Sequence, residues 1–121
     1  MAQATNQTTN TCDWVLDSGA TSHFARNRAD FIHYQPLDPP ESLTLGNGTE
    51  AKILGVGSVE LHTKLGGKAT KVTLKTVYHV PKIITNLISL TSLLKSGIST
   101  TSTRQSLLFT KDNQLVLEAH L

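Results

Sequence analysis

The residues of this chain best suited to chemistry sit in one short stretch, Trp14-Val15-Leu16-Asp17-Ser18-Gly19-Ala20. Three apolar residues run into an aspartate, and a hydroxyl residue and a glycine follow at once. The apolar run reads as a buried strand. Ser-Gly reads as a sharp turn out of it, because glycine tolerates φ > 0 and lets another backbone come close. Such a strand delivers one carboxylate to a fixed point at its end. An ionised group there is costly unless something pairs with it or uses it. Two roles fit: an acid held ready for proton transfer, or an aspartate that caps a turn or a following helix. Asp-Ser-Gly is by itself a weak motif and does not choose between them.

Other chemistry is poorly represented. The remaining aspartates are Asp13, Asp30, Asp38 and Asp112, and none precedes Ser-Gly or Thr-Gly. The histidines His23, His33, His62, His79 and His120 show no metal-ligand spacing. The lone cysteine, Cys12, gives neither an internal disulfide nor a metal cluster. Neither metal nor cofactor is therefore expected. Lys52, Lys64, Lys68, Lys71 and Lys75 read as a solvated face, and no Lys/Arg run marks a nucleic-acid partner.

The elements that position Asp17 belong to a single domain of 121 residues, long enough for a modest core. With 38% hydrophobic and 17% charged residues the chain is neither disordered nor membranous. No stretch approaches the length of a membrane span. The polar N-terminus has no signal-peptide core, and the cysteine content fits a reducing compartment. The net charge of +2 is small. Abundant Thr, Ser, Val, Ile and Leu with scarce Ala favour strands.

In chain order, residues 1–12 read as a flexible polar leader. His23–Tyr34 lacks clean periodicity, which fits a short helix or an irregular excursion. Gln35–Pro40 holds three prolines and is predicted to be loop, because proline removes a ladder donor. Leu43 and Leu45 alternate with polar residues up to Gly46-Asn47-Gly48, a hairpin signal of the type I′ kind. The return strand passes Ile53, Leu54, Val56, Val59 and Leu61, and Gly55 and Gly57 within it imply a bend, a bulge or a close backbone approach. The hairpin reads either as a cover over a site or as an ordinary surface hairpin. Gly66-Gly67 makes another turn, and Val72–Val80 alternates as a half-buried strand that Pro81 ends. A helix is predicted from near Asn86 to Ser96, capped by Gly97. Ile98–Thr103, Leu107–Thr110 and Gln114–Glu118 follow as short strands, with a turn at Asp112-Asn113. The predicted class is all-β with one short C-terminal helix.

Trp14-Val15-Leu16-Asp17-Ser18-Gly19-Ala20-Thr21-Ser22-His23-Phe24 resembles the opening of the protease segment in copia-type retrotransposon polyproteins, which are retroviral-type aspartic proteases. Leu43-Thr44-Leu45-Gly46-Asn47-Gly48 resembles that family's glycine-tipped flap. Tyr78-His79-Val80-Pro81 and Asn86-Leu87-Ile88-Ser89-Leu90 are similar to its later landmarks. The four landmarks cover about residues 13–97, and their order is far more specific than Asp-Ser-Gly.

The resemblance implies a retropepsin-like core at 13–97, with 98–121 supplying dimer-interface strands or beginning the next polyprotein segment. It implies an endopeptidase whose two catalytic carboxylates share one proton, since like charges this close cannot both ionise. One chain holds one such motif, so Asp17 would meet Asp17 of a second copy in an isologous homodimer. Ser18 would brace the two turns across the dimer, and Gly19 would aim its amide at the carboxylate. Ala20, Gly46, Asn47 and Gly48 would border and close over an extended peptide bound as an added strand. Apolar pockets would draw on Ile53, Leu54 and Ile84, although ordinary core packing explains these three equally well. The implied substrate is the chain's own polyprotein, processed within virus-like particles in the cytoplasm, with no membrane or nucleic-acid partner. Retroviral relatives often have Thr where Ser18 stands and glycine where Thr85 stands. A catalytically silent peptide-binding or dimerising module, or a nucleic-acid-binding β domain, are the other classes. His23, usual in this motif, has no role evident from the sequence.

Overall fold

The computed structural model describes residues 2–4, 14–65, 68–102, 106–111 and 114–120. Among them the chain forms, in order, β1 (Ala2–Ala4), β2 (Trp14–Asp17), β3 (His23–Ala25), β4 (Phe31–Thr44), β5 (Glu50–Leu65), β6 (Lys68–His79), β7 (Asn86–Ser89), α1 (Leu90–Lys95), β8 (Ser99–Ser102), β9 (Ser106–Lys111) and β10 (Gln114–His120). A 3-10 turn at Arg28–Asp30 precedes β4. The strands join in one sheet, ordered β4-β5-β6-β3-β7-β2-β1-β10-β9-β8. The chain is thus mostly β with one short helix, as its composition predicts. No helix among the described residues is long and apolar enough to cross a membrane.

The arrangement that matters is β7 lying between β2 and β3. β2 and β7 run parallel, in register from Trp14↔Asn86 to Asp17↔Ser89. On the other side of β7, Leu87 pairs antiparallel with Phe24 of β3. β2 and β3 are consecutive in the chain, so residues 18–22 must arch over the end of β7 to join them. Trp14 and Leu16 are buried, and the two-residue period of a strand puts Val15 and Asp17 on the other face. The core cluster anchoring this arch includes Trp14, Leu16, Val59, Leu74, Ile88 and Leu93. Burying each such side chain contributes about 2 kcal/mol. Phe109 of β9 is fully buried in the same cluster, so the strands after α1 share the core of the strand that carries Asp17. A smaller cluster of Ala51, Ile53, Val80 and Ile83 packs with half-buried Leu43 and Leu45 beneath the β4–β5 hairpin.

Several local expectations are corrected by long-range pairing. The helix starts at Leu90, not near Asn86, because Asn86–Ser89 pair with β2 as β7. Its end is as predicted: Gly97 has φ 91, and Gly97 N–H and Ile98 N–H donate to Leu94 and Leu93 carbonyls at 3.3 and 3.4 Å, the Schellman pair. Gln35–Pro40 is not loop but lies within β4, at the edge of the sheet. The ladder slips between Pro36 and Glu41, so the prolines sit at an irregularity on an edge, where no ladder donor is required of them. His23–Tyr34 resolves into β3, the 3-10 turn and the start of β4. Ala2–Ala4, inside the predicted leader, pair with β2 and β10 as β1. The rest of that leader and the turns predicted at Gly66-Gly67 and Asp112-Asn113 lie outside the described residues.

Gly55 and Gly57 are close-approach glycines, as their position in a strand predicts. A Cβ on Gly57 would collide with the His33 carbonyl oxygen, and one on Gly55 would collide with the Tyr34 ring. The space at Gly55 lets Tyr34 cross β5 and hydrogen-bond His79 Nδ1 through its hydroxyl at 2.8 Å. Phe31 and the Arg28 guanidinium, 3.9 Å from the Tyr34 ring centroid, complete this cluster. Gly57→Ala should therefore destabilise the fold by about 2 kcal/mol, because backbone rather than a flexible side chain must yield. A urea midpoint equal to wild type would contradict this.

Candidate functional site

β2 ends on Asp17, and the turn that follows orients its own carboxylate. Gly19 N–H donates to Asp17 Oδ1 at 2.8 Å, and Ala20 N–H donates to the Asp17 carbonyl at 3.4 Å. An ideal Cβ on Gly19 would lie 3.3 Å from Asp17 Oδ1, so any side chain there crowds the carboxylate. Asp17 and Ala20 are partly buried, whereas Ser18 and Gly19 are exposed. The tip of the arch is thus open to solvent while its base is fixed.

The base is fixed by the β7–α1 junction. Ser89 caps α1 by accepting the Ser92 N–H at 3.1 Å, and its hydroxyl donates to the Ala20 carbonyl at 2.8 Å. The Ser92 hydroxyl donates to the Thr21 carbonyl at 3.1 Å. Ser89 N–H donates to His23 Nδ1 at 2.9 Å. A serine cap is worth about 1 kcal/mol to its helix, and here the same oxygen also holds the arch. His23 is 5% exposed, and burial pulls its pKa down to about 4, so the ring is neutral and Nδ1 keeps its lone pair. His23, Ser89 and Ser92 are the residues that reading the sequence missed. Ser89-x-x-Ser92 before an apolar run is an N-cap pattern and was detectable; the bond from Ser89 to His23 spans 66 positions and was not.

Three residues back along β7, Asn86 is fully buried and its Oδ1 accepts the Arg26 N–H at 2.9 Å. Arg26 Nη1 donates to the Ile84 carbonyl at 3.4 Å. Among the described residues, Asn86 Nδ2 and Trp14 Nε1 are buried without an acceptor.

Gly46, Asn47 and Gly48 come together at the tip of the β4–β5 hairpin. Gly48 N–H donates to the Leu45 carbonyl at 2.9 Å, Leu45 N–H to the Thr49 carbonyl at 2.8 Å, and Asn47 Oδ1 accepts the Thr49 N–H at 2.9 Å. Gly48, with φ 84, is the left-handed residue. This is a three-residue loop with glycine in third place, rather than the two-residue type I′ turn predicted. Ile53 is buried in the smaller cluster, and Leu54, 36% exposed, falls on the opposite face of β5. Ile84 is 91% exposed. Among the described residues no group of three or more His, Cys, Asp or Glu is placed to hold a metal ion.

Residues 14–98 match the family model described as the Pol polyprotein, beta-barrel domain. The chain is 31% identical over 104 residues to the retrovirus-related Pol polyprotein from transposon TNT 1-94 of Nicotiana tabacum, covering 86% of the chain and 8% of that protein. It is 32% identical over 94 residues to the corresponding polyprotein from transposon RE2 of Arabidopsis thaliana, covering 78% of the chain and 6% of that protein. The RE1 polyprotein of Arabidopsis thaliana is 32% identical over 88 residues, covering 72% and 6%. The chain thus spans less than a tenth of the length of these relatives. No solved structure matches it. A match across the Asp17 arch, the hairpin and the β7–α1 junction, together with homology to copia-type Pol polyproteins, makes this chain a member of the Pol polyprotein beta-barrel domain family.

Proposed function

We propose that this domain is a retropepsin-like aspartic endopeptidase that works as a homodimer and cleaves the polyprotein containing it. The observation that carries the reading is the Asp17 arch. One carboxylate, oriented by the Gly19 amide, sits on a solvent-open tip whose base is clamped by Ser89, Ser92 and His23. A clamp of this kind supports a group that must be held in place for chemistry. The exposed Ser18 and Gly19 leave room for a second arch across a two-fold axis, where Ser18 would brace the pair.

In the dimer the two Asp17 carboxylates share one proton. The ionised one takes a proton from water, whose oxygen attacks the peptide carbonyl carbon. The protonated one donates to the carbonyl oxygen. The resulting gem-diol collapses as the amide nitrogen is protonated, the C–N bond breaks, and a carboxyl and an amine terminus leave. No covalent intermediate forms, and this chemistry calls for neither metal nor cofactor. The Gly46–Gly48 tip serves as the flap that excludes water over an extended substrate. Ala20 borders the cleft, the exposed Leu54 and Ile84 offer apolar contacts, and Ile53 supports the hairpin from beneath. The substrate is an extended segment of the same polyprotein, cut within cytoplasmic virus-like particles. The strands of residues 98–121 contribute to the dimer interface.

Mass action gives the test. If the site is built by two copies, cleavage of a longer precursor per milligram of protein should rise with concentration, in step with the dimer fraction from sedimentation. Specific activity that stays constant while the protein sediments as a monomer would sink the reading. A dimer that cleaves nothing from acidic to neutral pH would identify a silent peptide-binding or dimerising module instead.

A further inference from the structure

A concavity lies at the His23 end of β3. β3 pairs with β6 only through His23–Ala25 against Val77–His79. Beyond that point β6 has α1 beside it rather than a strand, and a groove of about 690 Å³ opens between them. It is lined by Ser22 and His23 at the start of β3, by Lys71–Thr76 of β6, by α1 and the residues just after it, and by Lys111 at the end of β9. Four lysines stand around it, Lys71, Lys75, Lys95 and Lys111, all exposed. They come from three elements, so no run of basic residues announces them. Among the described residues no aspartate, glutamate, asparagine or glutamine lines the groove, and no carboxylate pairs with these lysines. In a chain with a net charge of only +2, this is a marked local excess of positive charge.

We propose that this groove holds the phosphate backbone of single-stranded nucleic acid. The polar side chains around it are ammonium groups and hydroxyls, among them Thr73 and Thr76, with the neutral His23, and they stand beside the apolar Val72, Leu74, Leu93 and Ile98. A phosphodiester chain is the complement, a line of charged acceptors with no donor in each phosphate. An acidic peptide fits less well. It brings an N–H donor at every residue, and among the described residues only hydroxyls, with no carboxylate or amide, are there to accept it from the lining side chains. Lysine acts on phosphate as a point charge and demands no fixed orientation, which suits a flexible strand. Lys71 and Lys75 lie four residues apart on one face of β6, about 13 Å along the strand, so they reach different phosphates. Among the described residues no Phe, Tyr or Trp lines the groove, so bases have no stacking platform there and binding is sequence-independent. The groove shares Ser22, His23 and Ser92 with the base of the Asp17 arch, but its four lysines make no bond to the arch, so this binding can fail while the proposed protease chemistry holds.

The salt dependence of binding tests the proposal. Labelled oligo-uridine, oligo-adenosine and oligo-thymidine should bind the full chain alike. Four neutralised phosphates give a slope of log affinity against log salt of about −3, or about a 50-fold loss between roughly 50 and 200 mM. Lys71→Gln with Lys75→Gln should bring the slope to about −1.4 while the thermal midpoint stays unchanged. Lys52→Gln with Lys82→Gln, the same charge change outside the groove, should leave the slope as it is. If the first pair impairs folding, Lys95→Gln with Lys111→Gln on the other wall gives the same readout. The proposal is overturned if no oligonucleotide binds at low salt, or if Lys52→Gln with Lys82→Gln lowers the slope as much as the groove pair does. It is also overturned if an oligo-glutamate of equal charge displaces the oligonucleotide at equal concentration, which would make the groove an acidic-peptide site.

Discussion

Asp17→Asn should lower precursor cleavage by on the order of 10⁴-fold, the upper range for losing a positioned acid–base group. The substitution changes one oxygen to an amide nitrogen. The remaining Asn carbonyl oxygen can still accept the Gly19 N–H that Asp17 Oδ1 accepts at 2.8 Å. The Ser89 and Ser92 bonds to the arch go to the backbone carbonyls of Ala20 and Thr21, so they do not depend on residue 17. Circular dichroism and the sedimentation profile should therefore match wild type while cleavage is lost. Mixing sharpens the result. With equal amounts of both chains and random pairing, about half of the wild-type chains sit in mixed dimers, so activity per wild-type chain should fall to about half. A monomeric protease using some other acid would lose nothing on mixing. Proteolysis that survives in pure Asp17→Asn protein would remove Asp17 from the chemistry altogether.

What the sequence disclosed follows from the range over which each signal acts. The Asp17 turn, the hairpin tip and the Gly97 cap are settled by residues within a few positions, and all three were legible. Even there the loop at Gly46–Gly48 differs by one residue from the turn its Asn-Gly suggested, because the extra ladder bond from Leu45 to Thr49 makes Gly48 the left-handed position. Leu87, Ile88, Leu90, Leu93 and Leu94 carry a helical spacing, yet Leu87 and Ile88 are strand residues. Pairing with β2 overrides the local preference, and that pairing joins residues about seventy positions apart. The prolines of Gln35–Pro40 argue against a central strand, and β4 lies at the edge. Gly55 and Gly57 announced a close approach, but not that Tyr34 and His33 were the neighbours. Lys71 and Lys75 read as a solvated face for the same reason: β6, α1 and β9 meet only in the fold.

The clamp on the arch also carries a pH dependence, and its sign follows from His23. In the folded chain burial holds His23 at about 4, well below its ordinary value of 6.5. Above about pH 6.5 the ring is neutral in both folded and unfolded chains, and the fold keeps its full stability. Between there and about pH 4 the unfolded chain takes up a proton that the folded chain refuses, so stability falls by about 1.4 kcal/mol per pH unit. The total is about 3 kcal/mol by the acid end of that window, and nothing further is lost once both states are protonated. His79, lowered by burial against a backbone hydrogen bond at Arg26 that raises it, and lowered further by the charge of Arg28, adds in the same direction. Protonating Nδ1 also removes the acceptor of the Ser89 N–H, so the arch should loosen where the charge arrives. Urea midpoints of wild type should therefore fall more steeply between about pH 7 and pH 4.5 than those of His23→Gln, whose side-chain carbonyl can accept the same N–H without titrating. Equal slopes would show that His23 does not set the acid limit. The consequence for the proposed chemistry is a conflict built into the site. Two carboxylates that share a proton work best when the medium is acidic enough to supply it, while the histidine at the base of the same arch tolerates acid poorly. Activity should then end on the acid side where the arch gives way, and His23→Gln should carry cleavage to lower pH.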